Sequence, residues 1–295
     1  MMPRLIRVLL ACLAIAGTQM TAATMPDRSS AAALRAEYAS LGPQLGSNQF
    51  RMPLYLVSTQ SPTHLAGDLY AQVEHPFAAV SAALGAAANW CEVLILHINT
   101  KYCRASPDSP GNVLAVRIGK KGDQPLDSAY LLEFEYAVVA ATPDYFQVQL
   151  SAAEGPLATS NYRIVLDAVS IGAGRTFLHL SYSYAYGLAG RLALQAYLAT
   201  TGRDKVGFTI TGRSPDGQPE YIADVRGLVE RNTMRYYLAI DAYLATPTPA
   251  QLGERLKIWF DATERFPRQL HEVDGTGYLD MKRREYLRQQ TTYDP

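Results

Sequence analysis

The chain carries no net charge: 27 lysines and arginines face 27 aspartates and glutamates over 295 residues. That removes any global attraction to nucleic acid, which needs a basic face to neutralise phosphates, and no nucleic-acid partner is expected. Histidine and cysteine are scarce, at five and three residues. No His-Glu-x-x-His run and no Cys or His spacing of a zinc site occurs, so neither a metal nor a cofactor is expected. There is no Gly-x-Ser-x-Gly elbow and no glycine-rich phosphate loop. Gly172 and Gly174 stand between two expected strands, without the helix that a nucleotide fingerprint requires. Long apolar runs are missing as well, with one exception at the N-terminus.

That exception spans residues 8–17, behind Arg4 and Arg7 and ahead of small residues ending at Ala22-Ala23. A basic start, a short apolar core and small residues are the layout of a secretory signal peptide. The core is shorter than the roughly 20 residues that a membrane-spanning helix needs. Cleavage is expected after Ala23, with Ala16 as the alternative; a lipoprotein reading at Cys12 would leave only residues 8–11 as the apolar core. The expected mature protein is periplasmic or secreted, with no transmembrane span. Loss of Arg4 and Arg7 reduces 27 basic residues to 25 and gives a formal charge of −2. Cys12 departs with the leader. Cys91 and Cys103 remain as an even pair in an oxidising compartment, which favours a disulfide over two buried thiols. Closing a loop of about a dozen residues stabilises by roughly 3 kcal/mol in the chain-entropy model.

Tyrosine is what the chain has in quantity, 19 residues against 8 phenylalanines. Its ring packs as an apolar body while its hydroxyl can bond, which suits cavity walls and interfaces. Along the chain, Ser30 is placed to cap a helix over 31–41, and a strand is expected near 53–58. Residues 67–74 alternate as a strand, and Pro76 then opens a helix over 77–84. Residues 90–97 form a short apolar element, helix or buried strand. Strands follow at 112–119, 129–140, 144–152, 160–170 and 175–186, an antiparallel meander. Leu132, Phe134, Tyr136 and Val138 share one face of theirs, opposite Glu133 and Glu135. Leu178, Leu180, Tyr182, Tyr184 and Tyr186 share one face of the last, opposite Phe177 and His179. Residues 188–200 read as a helix, 205–211 and 220–228 as a hairpin around Ser214-Pro-Asp-Gly217, 232–245 and 250–266 as helices, and 280–290 as a charged last helix or tail.

Strand, helix, short second element, antiparallel meander and closing helix resembles the helix-grip superfamily of START domains, polyketide cyclases and their relatives. The echoes are the strand 67–74, the His75-Pro76 turn, the helix 77–84 and the tyrosine-rich strand before 188–200, about half the chain. The resemblance implies an α+β fold in which an antiparallel sheet wraps a long helix and can enclose an apolar cavity. On this reading residues 1–23 are the leader, 24–65 an N-terminal helix and irregular segment, 66–228 the START-like domain, and 229–295 a helical extension packed on it.

Candidate ligand contacts are Phe134, Tyr136, Tyr182, Tyr184 and Tyr186 on the two strand faces, which fit a cavity wall and a solid core equally. Arg231 and Arg235 join them, because guanidinium groups hold carboxylate or phosphate well; helix-start chemistry with surface ion pairs is the alternative. His179 reads as a structural histidine, and Glu133 and Glu135 as the solvent side of a strand. Lys282-Arg-Arg284 with Arg288 reads as a solvated face that could touch an anionic membrane. No catalytic residue is singled out. The function expected is binding or carrying a hydrophobic small molecule or lipid, with a cyclase- or hydrolase-type cavity enzyme or an envelope scaffold with a protein partner as alternatives.

Overall fold

A computed structural model describes residues 30–106, 112–172, 174–200 and 202–291. The leader, its cleavage site and Cys12 lie outside the described residues. Ser30 caps α1 (Ala31–Ser40) by accepting from the Ala33 N–H at 3.2 Å, and α2 (Gly42–Gly46) follows. Strands β1 (Leu54–Gln60) and β2 (His64–Val73) pair as a hairpin. Pro76 then opens α3 (Phe77–Leu84), whose Phe77, Val80 and Leu84 are the buried stripe at helical spacing. The apolar element left open between helix and strand is helical: α4 (Ala87–Leu94) precedes β3 (Thr100–Ser106). A disulfide joins Cys91 of α4 to Cys103 of β3.

The meander runs β4 (Val113–Ile118), β5 (Tyr130–Ala141), β6 (Tyr145–Glu154), β7 (Thr159–Ser170) and β8 (Thr176–Tyr186). All neighbours pair antiparallel in the order β1-β2-β8-β7-β6-β5-β4-β3. The α3–α4 crossover therefore carries the chain from β2, beside one edge, to β3 at the opposite edge. Gly172 and Gly174 take positive φ (95° and 79°) in the β7–β8 turn, a conformation that side chains rarely adopt.

After α5 (Leu188–Ala199), a small hairpin of β9 (Ile210–Arg213) and β10 (Pro219–Tyr221) leads into α6 (Asp224–Ala245). This differs from the expected hairpin, because residues 224–228 already belong to the helix. Val225, Leu228, Val229 and Asn232 continue its i, i+3, i+4, i+7 spacing, while Tyr221, Ile222 and Val225 mask it with strand-favouring side chains. The boundary drawn after residue 228 thus falls inside α6. The helix that the sheet grips is α6 and not 188–200: α6 packs against β1, β2 and β8, and also against α4, α5 and α7. The result is the α+β helix-grip arrangement.

Helices α7 (Leu252–Glu264), α8 (Pro267–Leu270) and α9 (Gly275–Thr291) complete the inner layer. The α7 stripe of Leu256 and Trp259 is buried, and Trp259 stacks on Tyr278 of α9. The reading of 282–288 as a solvated face is corrected for Lys282, which is fully buried with Lys101 and Glu285. Its Nζ bonds Glu285 Oε2 at 2.6 Å, and the other carboxylate oxygen takes Lys101 Nζ at 3.0 Å. Arg283 and Arg284 do face solvent. On the sheet's outer face α1 and α2 bury Tyr145, Val169 and Phe177.

Candidate functional site

Between the concave side of the sheet and α6 lies a cavity of about 680 Å³. Its body is aromatic. Tyr162 of β7, Tyr182 and Tyr184 of β8 and Tyr236 of α6 form its walls. Alternation along β8 puts Tyr182 and Tyr184 on one face, and antiparallel pairing with β7 brings Tyr162 beside them, 5.1 Å from Tyr184 between ring centres. Tyr236 closes from the helix, 5.2 Å from Tyr182. Burial pushes the phenols of Tyr182, Tyr184 and Tyr236 well above their ordinary range. They remain neutral donors at any physiological pH. Exposed Tyr130 and Leu157 stand at the rim.

One end of the cavity is polar. Arg231, Asn232 and Arg235 come from α6, His97 and Asn99 from the turn before β3, and Lys120, Lys121 and Gln124 from the β4–β5 connection. Arg231 and Arg235 share a face of α6 because they are four residues apart. Both are buried, against the alternative of a helix start with surface ion pairs. Glu230, between them and the β9 region, accepts from Ser58 Oγ, the Phe208 and Thr209 amides and Thr209 Oγ1 at 2.6 to 2.9 Å. Arg235 Nη2 and Lys121 Nζ each reach Glu272 Oε1 at 2.7 Å. Burial works against the Glu272 charge, but Arg235, Lys121 and Lys205 outweigh it and hold the carboxyl below its usual range. His97 also lies well below its ordinary imidazole value, first through burial and then through Arg235, Lys282, Lys121 and Lys101, which keeps the ring neutral.

Of the seven candidate residues, Tyr182, Tyr184, Arg231 and Arg235 meet at this cavity. Phe134 and Tyr136 sit in solid core, where the Tyr136 hydroxyl donates to the Leu84 carbonyl at 2.9 Å. Tyr186 lies beyond the cavity, at a groove between α5 and the β1–β2 turn, and its hydroxyl donates to the Ser61 carbonyl. Tyr162, Tyr236, His97 and Lys121 were not anticipated. The face assignment of 160–170 would have yielded Tyr162, and the step after Arg235 would have yielded Tyr236. His97 and Lys121 occupy turns, for which no periodicity speaks.

The titratable groups weighed for acid–base work lie elsewhere. Glu133 and Glu135 are exposed on the outer face. His179, also outside, is bridged by Asp68 at 3.0 Å and Asp167 at 3.2 Å and stacks on Tyr70. Among the described residues no group of three or more His, Cys, Asp or Glu is placed to hold a metal ion. No single described helix is long and apolar enough to cross a membrane.

No family model matches the chain, and no curated protein matches it. Solved structures are similar at low identity. Norcoclaurine synthase of Thalictrum flavum shares 17% identity at a TM-score of 0.35, covering 49% of this chain and 89% of that one. The lipid transfer and protein localization domain of human StarD13 shares 10% at 0.33, covering 49% and 76%. The Zhui aromatase/cyclase from Streptomyces sp. R1128 shares 13% at 0.34, covering 51% and 87%. No function is taken from these structures; it is read from the cavity itself.

Proposed function

We propose that the chain binds or carries a hydrophobic small molecule or lipid in the tyrosine-walled cavity, and does so in the periplasm or outside the cell after losing its leader. The carrying observation is the cavity: about 680 Å³ of space between sheet and α6, walled by Tyr162, Tyr182, Tyr184 and Tyr236. Its volume falls in the roughly 300 to 1,000 Å³ range of small-molecule pockets, which are apolar with a few placed polar groups. Apolar burial supplies affinity at about 25 cal/mol per Å² removed from water, and the polar end fixes orientation. Of the groups considered for acid–base work, His179, Glu133 and Glu135 do not line the cavity.

The test is mass spectrometry of organic extracts from the full chain purified from its native compartment. A lipid or aromatic small molecule should be recovered, and Leu194→Trp, which fills the cavity from α5, should reduce its yield. Ligand-free protein that also takes up no apolar probe would reject the reading. Cell fractionation with N-terminal sequencing tests export, the expected mature start being Thr24.

A further inference from the structure

Four cations border the cavity, Lys120, Lys121, Arg231 and Arg235, and among the described residues no aspartate or glutamate does. The nearby carboxylate Glu272 is shared by Arg235, Lys121 and, at 3.6 Å, Lys205. The lining itself thus presents cationic and no anionic side chains among the described residues. Arg231 and Arg235 are 0% and 1% exposed, so water screens their charges weakly.

His97 adds an independent observation at the same end. Its Nδ1 accepts the Asn99 N–H at 3.2 Å, which puts the proton of the neutral ring on Nε2. Nε2 is buried and has no hydrogen-bond partner among the described residues, although the ring borders the cavity and packs 4.9 Å from Tyr236. A buried donor left unmade costs about 1 to 3 kcal/mol. An acceptor atom supplied by a ligand removes that cost.

We infer that the cavity takes an amphiphile whose head is an oxyanion, carboxylate or phosphate, held by Arg231, Arg235 and Lys121 and by the His97 Nε2–H. Its apolar body lies along Tyr162, Tyr182, Tyr184 and Tyr236. This rests on the proposal that the cavity binds a hydrophobic small molecule, and it names the polar end of that ligand. Guanidinium forks match an oxyanion geometrically and form charge-assisted bonds, about twice as strong as neutral ones. A neutral head, such as an alcohol, forms only the weaker neutral-acceptor bonds with these donors.

The full chain, stripped of bound lipid, is titrated calorimetrically with palmitic acid, hexadecyl phosphate and hexadecanol, and with naphthoic acid and naphthalenemethanol. An oxyanion should bind about tenfold or more tighter than the alcohol of the same body, and the better of the two alkyl acids names the head. Arg231→Gln and His97→Phe should shrink that gap, because each removes a donor to the oxyanion. Lys121→Gln, in a loop and partly exposed, should do the same without disturbing the core, so a misfolded Arg231 variant does not decide the matter. Equal affinity for acid and alcohol, or a gap that survives Lys121→Gln and His97→Phe, overturns the inference and leaves the cavity proposal standing. Failure of every probe overturns both.

Discussion

Gly67 and Thr233 meet where β2 passes under α6: a Cβ on residue 67 would lie 2.3 Å from Thr233 Oγ1 and 3.5 Å from the Val229 carbonyl oxygen. The Thr233 hydroxyl is held in place because it donates to that same carbonyl at 2.8 Å. Only a residue without a side chain lets the sheet approach the helix so closely. Gly67→Ala should destabilise by about 1 to 3 kcal/mol through overpacking, read as a lower denaturation midpoint. Thr233→Ala removes the clashing oxygen and leaves its Cβ at 3.3 Å. The double variant should therefore recover part of the loss, a coupling that independent sites would not show.

The Cys91–Cys103 bridge ties α4 to β3 across a separation of 12 residues. The same corner carries His97 and Asn99 to the cavity. Replacing both cysteines by serine should cost roughly 3 kcal/mol if unfolded-chain entropy dominates. Denaturant titration of the native chain with and without reductant should reproduce that difference. An unchanged midpoint on reduction would reject it.

What was legible in the sequence was what repeats locally. The period-2 pattern of β8 placed Leu178, Leu180, Tyr182, Tyr184 and Tyr186 on one buried face. It gave no hint that Phe177, on the opposite face, would also be buried, since its cover is α1, more than a hundred residues earlier. Nor did periodicity say which part of the concave face stays open. Over Tyr136 the α3–α4 corner fills the space, with the Leu84 carbonyl in contact, while over Tyr182 and Tyr184 the cavity remains. Arg231 and Arg235 could be singled out by their guanidinium chemistry in a polar cluster just ahead of an apolar run. Their setting could not, because Glu272 and Lys121 are 151 residues apart and meet only in the fold.

His179 offers a pH test on the outer face. Burial alone would lower its pKa, but hydrogen bonds to Asp167 and Asp68, and then their charges, raise it from 6.5 to about 9. A folded value above the unfolded one stabilises fully below pH 6.5, and that contribution is lost as pH rises through about 9. The shift corresponds to at most about 3 kcal/mol. Between pH 6.5 and 9 the native chain should lose stability, and His179→Gln should flatten that limb of the profile while lowering stability at pH 6. Equal slopes in both proteins would show that the imidazolium between Asp68 and Asp167 is not their source.

The buried Lys101, Lys282 and Glu285 make the sharpest demand on α9. Lys282 also donates to the His97 and Thr100 carbonyls, at 3.1 and 2.6 Å, and Lys101 to the Ile98 carbonyl at 3.1 Å. Burial, working against both charges, lowers the Lys282 pKa to about 8 even though Glu285 opposes the shift. Glu285→Gln keeps the shape and removes the one carboxylate that both ammonium groups share. Stranding buried cations costs about 3 to 5 kcal/mol, so this variant should unfold α9 or the whole chain well before the native protein does. The triple change Lys101→Met, Lys282→Met, Glu285→Met removes every charge at once, and replacing buried ion pairs by apolar groups is often neutral or better. It should be the more stable of the two. If Glu285→Gln proves harmless by calorimetry, the cluster is not what fastens α9 to β3.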